Sequence, residues 1–88
     1  MQKYLAEFLG SLIFVYVLLN TENVFAYCIV LVIVTLIIYP YSGGHVNPVV
    51  SIILASQGKI KTTDLMPYVI SQVFGGLVAL EIYKKWKI

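Results

Sequence analysis

Long apolar runs separated by short polar interruptions set the plan of this chain. Tyr4 to Leu19 reads as a first spanning helix, about residues 4–19, with Glu7 and Gly10 inside it. Asn20-Thr21-Glu22-Asn23 is a polar turn, and Val24 begins a second span, about 24–41, with Pro40 at its close. Each apolar run is about 16 residues, or roughly 24 Å as helix, a little short for a hydrocarbon core about 30 Å thick. Flanking Gln2, Lys3 and Tyr41 therefore extend the runs into the interface. A third apolar run, residues 47–56, is about 15 Å long as helix and reaches only half way across. Gln57 to Thr63 is polar; Gly58 suits a helix end, and Thr62 or Thr63 suits a helix start, with Asp64 in the first turn. A last span, about 65–86, ends in Lys84, Lys85, Trp86 and Lys87, an interfacial anchor. The pattern predicts an all-α membrane protein, one unit over residues 1–88, with three transmembrane helices and one re-entrant half-helix. Three spans place the two ends of this unit on opposite sides of the membrane.

Composition points the same way. The 88 residues are 60% hydrophobic and 11% charged, with a mean hydropathy of +0.92. Soluble domains carry roughly 25% charged residues, so the lipid bilayer is the solvent that fits this chain. The first apolar run carries Glu7 and lacks a clear small-residue cleavage site, unlike a removable signal. A single cysteine, Cys28, excludes an internal disulfide. All six basic residues are lysines, too few and too scattered for nucleic acid. No metal-ligand spacing, nucleophile–base pair or phosphate loop appears, so neither an enzyme nor a cofactor is expected.

The residues between the second and third runs carry the candidate chemistry. Ser42-Gly43-Gly44-His45-Val46-Asn47-Pro48-Val49-Val50-Ser51-Ile52 opens with a glycine pair that resists regular helix. Asn47 then stands directly before Pro48: the Asn side chain caps the first N–H groups, and Pro fits the first helical position. A helix that starts within the membrane, approached by irregular backbone, implies a cavity or pore around that backbone.

These residues resemble a known family. Ser42 to Pro48 is similar to the first signature loop of the aquaporin and glycerol-channel family, whose box reads Asn-Pro-Ala. Ala6-Glu7-Phe8-Leu9-Gly10 resembles the family's first-helix motif. Gly58-Lys59-Ile60, Pro67-Tyr68 and Gln72-Val73-Phe74-Gly75-Gly76 resemble its return loop and third helix. The resemblance runs along nearly the whole chain but covers one of the family's two inverted repeats. Val49 stands where the box has Ala, and no arginine is present for the family's filter.

The resemblance implies a pore in which two half-helices meet end to end at the bilayer centre, around Asn47, Pro48 and Val49. The carbonyls of Gly43, Gly44, His45 and Val46 would form an extended acceptor ladder leading inward. The family's filter positions transfer to Tyr27, Thr35, Gly44 and Val50, an uncharged constriction wide enough for water and small neutral solutes such as glycerol. Glu7 and Gln72 would be buried structural hydrogen-bonding groups beside the loop. Two oppositely inserted copies would supply both half-helices, and the family's fourfold clustering would then make eight chains around four pores. Lysine placement favours such dual insertion: Lys3, Lys59 and Lys61 fall on one side, and Lys84, Lys85 and Lys87 on the other. The expected location is the plasma membrane.

Other readings stay open at this level. Glu7 also suits a proton relay, His45 a pH gate, and Cys28 a thiol-sensitive blocking point beside Tyr27. A non-conducting relative acting as an assembly subunit of a longer channel is the alternative function. A cation leak is a third, because no arginine guards the filter.

Overall fold

The computed structural model describes residues 1–87; Ile88, the last residue of the expected unit, lies outside the described residues. Four helices follow in order: α1 (Gln2–Asn20), α2 (Val24–Ser42), α3 (Pro48–Ser56) and α4 (Thr62–Lys85). α1, α2 and α4 are each long and apolar enough to cross a membrane. α3, with 9 residues, rises only about 14 Å.

Local chemistry sets most of the helix ends. Asn23 caps α2, its Oδ1 accepting from the N–H groups of Phe25 and Ala26 at 2.9 and 3.2 Å. Pro40 lies inside α2, near its end. There its missing N–H costs one late-turn bond but does not stop the helix. The stop is Gly43, in left-handed conformation at φ 89°, with its N–H on the Tyr39 carbonyl at 2.9 Å. α4 starts differently from the sequence expectation: Lys61 is the cap residue, no side chain caps it, and Thr62 and Thr63 are already helical. Asp64 in that first turn turns sideways instead, accepting from Lys3 Nζ at 2.9 Å and the Tyr4 hydroxyl at 2.8 Å.

Those bonds join the starts of α1 and α4, while the Tyr16 hydroxyl donates to the Trp86 carbonyl at the other end. α1 and α4 therefore run parallel. α1 packs along both α2 and α4, and α3 lies against α4. Two glycines bring the three long helices together. A Cβ on Gly75 would collide with the Phe8 carbonyl and stand 3.2 Å from the Leu12 nitrogen. One on Gly10 would stand 2.9 Å from Ile38 Cδ1 and 3.0 Å from Val34 Cγ1. Small residues at such contacts let helix backbones approach closely where no hydrophobic effect drives association. The core formed by Ala6, Val34, Ile38 and Val46 is small, with Phe14, Val30 and Leu31 packed around it. Phe25, Ile29, Val32, Leu36 and Ile37 of α2 face outward, as expected of a surface solvated by lipid.

Candidate functional site

The segment joining α2 to α3 takes a tight path. Gly43, Gly44 and Val46 all have positive φ, at 89°, 66° and 58°. A Cβ on Gly44 would stand 2.9 Å from both Thr35 Cγ2 and the Thr35 carbonyl oxygen, so the loop lies flush against α2. Val46 is the unusual member, because a β-branched side chain disfavours the left-handed region by about 1–3 kcal/mol. Two features offset that strain: its N–H donates to Glu7 Oε1 at 2.7 Å, and its side chain is buried in the core with Ala6, Val34 and Ile38.

This geometry is kinked rather than regularly extended along residues 43–46, and it turns backbone N–H groups toward α1. The N–H groups of His45 and Val46 both point at the Glu7 carboxylate, at 3.0 and 2.7 Å. Successive N–H groups of extended backbone point to opposite sides, so an extended run cannot deliver both to one acceptor.

Glu7 is fully buried and organises the site. Its Oε2 accepts from the Ser42 hydroxyl at 2.6 Å as well as from His45 N–H. Its Oε1 accepts from Gln72 Nε2 at 2.9 Å as well as from Val46 N–H. Four donors from three segments thus converge on one acceptor-only group, the arrangement a buried carboxylate needs. A second layer steadies the first. Gln72 Nε2 also reaches Ser51 Oγ at 2.9 Å, and Ser51 Oγ lies 2.8 Å from His45 Nδ1. Tyr68 stacks on the His45 ring, with centroids 4.5 Å apart and planes 15° from parallel, and its hydroxyl donates to the Ser42 carbonyl at 2.7 Å. α1, α4 and α3 together hold the loop from behind.

The loop's far side is open. Asn47 caps α3, its Oδ1 accepting from Val49 N–H at 2.8 Å, and Pro48 occupies the first position. Asn47 is exposed, and its amide Nδ2 has no partner among the described residues. Val49 and Val50 in the same turn are exposed too, so the start of α3 presents one amide donor amid apolar surface. Of the filter positions, Thr35 and Gly44 touch, whereas Tyr27 lies two turns earlier on α2, against the Phe14 ring. Val50 is in the first turns of α3. Thr35 and Gly44 are thus brought together within one chain, with Tyr27 set two turns away along α2.

Ser42, Ser51 and Tyr68 are central here, yet their roles do not emerge from the sequence. One signal was available for Ser51: it is the polar residue within an otherwise apolar Pro48–Ala55 stretch.

Comparison with known proteins adds relatives to this geometry. The family model described as Major intrinsic protein matches residues 1–88. Aquaporin-8 of Notomys alexis is 35% identical over 94% of this chain and 36% of its own length. Glycerol uptake facilitator protein-like 6 of Lactiplantibacillus plantarum is 37% identical over 98% of this chain and 44% of its own. Aquaporin Z of Photorhabdus laumondii is 46% identical over 47% of this chain and 18% of its own. The chain thus spans between about a third and less than half the length of the two relatives it matches along nearly its whole extent. No solved structure matches it. A buried carboxylate that folds an Asn-Pro loop onto a half-length helix, three helices able to span a bilayer and a family match along the whole chain agree: this integral membrane protein belongs to the major intrinsic protein family.

Proposed function

We propose that this chain forms half of a passive channel for water and small neutral solutes such as glycerol. Two copies inserted in opposite directions would bring their α3 tips together at the bilayer centre, the paired Asn47-Pro48-Val49 boxes facing one another. The observation that carries this reading is the open start of α3. A partner-free amide donor sits at the N-terminus of a half-length helix, and Glu7 braces the backbone of the two residues before it. Inverted units around a midplane site are a general solution for membrane transport.

The chemistry follows from that placement. Each half-helix directs partial positive charge at the centre, and each Asn47 offers N–H groups to a passing oxygen lone pair. Water or an alcohol regains there the hydrogen bonds it left in bulk, while a cation meets an unfavourable field. Exposed Val49 and Val50 supply the apolar walls that keep the solute from being held too tightly. Tyr27, Thr35, Gly44 and Val50, with no arginine among them, would form the uncharged narrow points when two copies are combined. The expected setting is the plasma membrane, with eight chains around four pores by analogy with the family.

Purified protein in liposomes tests this through osmotic shrinkage in sucrose and in glycerol. Wild-type vesicles should exceed empty ones in water and glycerol permeability. Asn47→Asp keeps an oxygen to cap α3 but removes both amide donors, so the fold should persist while flux falls by about tenfold or more. Wild-type vesicles no leakier than empty ones would refute the channel and leave the assembly-subunit reading. Single-cysteine accessibility showing all chains inserted one way would refute the inverted pair.

A further inference from the structure

Away from the loop, the outward side of α4 carries a second feature. Phe74, Leu77, Val78, Glu81, Ile82 and Lys85 fall at three- and four-residue spacings, which places them on one face of the helix. With Trp86 at its end, this face forms a groove of about 260 Å³. From Phe74 to Lys85 the helix rises roughly 16 Å, close to the depth of one leaflet's share of a core about 30 Å thick. The deep end is apolar, at Phe74, Leu77 and Val78, and the shallow end is ionic.

Charge at that end is unbalanced. Lys84 pairs with Glu81 at 3.4 Å, and Lys87 sits 5.3 Å over the Tyr83 ring. Lys85 has no ion pair among the described residues. Three lysines against Glu81, and Glu22 in the α1–α2 turn on the same side, leave one net positive charge at this end. Trp86 N–H caps the Ile82 carbonyl at 2.8 Å, and the Trp86 carbonyl is taken by the Tyr16 hydroxyl. We infer that this groove is a binding site for an anionic phospholipid, with one acyl chain along Phe74–Ile82 and the phosphate against Lys85. Length matches one chain, and charge selects an anionic headgroup over a zwitterionic one. This site does not rest on the channel reading, since its argument uses neither Asn47 nor a second copy.

Trp86 is the sole tryptophan and lies at the groove's mouth, so its fluorescence reports the occupant directly. The protein is reconstituted in phosphatidylcholine vesicles containing a fixed fraction of brominated phosphatidylglycerol or, separately, brominated phosphatidylcholine. The anionic lipid should quench Trp86 with a relative association about fivefold higher, the factor expected for one lysine at a charged membrane surface. Lys85→Gln should erase most of that preference and Lys85→Arg should keep it. Lys61→Gln, at the opposite end of α4, should leave it unchanged. Equal quenching by the two lipids overturns the site. So does a Lys61→Gln loss as large as that of Lys85→Gln, which would mark a diffuse surface potential. A preference surviving Lys85→Gln in full overturns the role given to Lys85.

Discussion

Replacing Glu7 by Gln tests the clamp with almost no change of shape. The carboxylate accepts two donors on each oxygen: Ser42 Oγ and His45 N–H on one, Val46 N–H and Gln72 Nε2 on the other. A carboxamide has one accepting oxygen, and its NH₂ must face the other pair. The Ser42 hydroxyl can rotate to accept, and Gln72 can turn its own amide, whose Oε1 has no partner among the described residues. A backbone N–H can do neither. Whichever way the new amide turns, either His45 or Val46 is left with a buried, unpaired N–H. That costs about 1–3 kcal/mol, and the surviving bonds lose the benefit of the charge. A total near 2 kcal/mol opens the loop about thirtyfold more often. Amide hydrogen exchange in detergent micelles measures this at His45 and Val46. Protection at one or both should fall about thirtyfold, while mid-helix α1 and α4 amides stay protected. If both loop amides stay within twofold of wild type, Glu7 does not hold the loop and the reasoning fails.

Three further outcomes follow from the same geometry. Gly75→Ala drives a methyl into the Phe8 carbonyl and should destabilise the α1–α4 pair by about 1–3 kcal/mol in denaturant titration. Gly76→Ala, whose Cβ would meet Val15 Cγ2 at an ordinary 3.5 Å, should be nearly silent, and equal effects would refute the close approach. Tyr68→Phe loses the bond to the Ser42 carbonyl but keeps the ring over His45, costing about 1 kcal/mol, whereas Tyr68→Ala should cost clearly more. Asp64→Asn removes the ion pair with the half-exposed Lys3, and such pairs contribute less than about 1 kcal/mol, so thermal unfolding should shift only slightly.

Elements whose causes are local could be read from the sequence. Apolar runs long enough to span, an Asn-Pro helix start and a glycine stop each act within a few residues, so α1 to α4 are visible in outline. The start of α4 was misread because Thr62 and Thr63 have cap chemistry. Yet Asp64 is drawn away to Lys3 and Tyr4, about sixty positions earlier, and the helix begins without a side-chain cap. The left-handed Val46 runs against its own propensity, and only the distant Glu7 and the core around it make it tolerable. Nothing in spacing couples Glu7 to His45 and Val46, 38 and 39 residues away, nor Ser51 to Gln72 across 21. The resemblance, not the pattern, pointed to Glu7, and it carried no word of Ser42, Ser51 or Tyr68 as its neighbours.

Synthesis runs from the N-terminus, so α1, α2 and the loop leave the ribosome before α4 exists. Until Tyr68 and Gln72 arrive, His45 lacks its covering ring and Glu7 lacks one of its four donors. The last helix is therefore a lock: the loop's support is complete only once that helix packs beside the first.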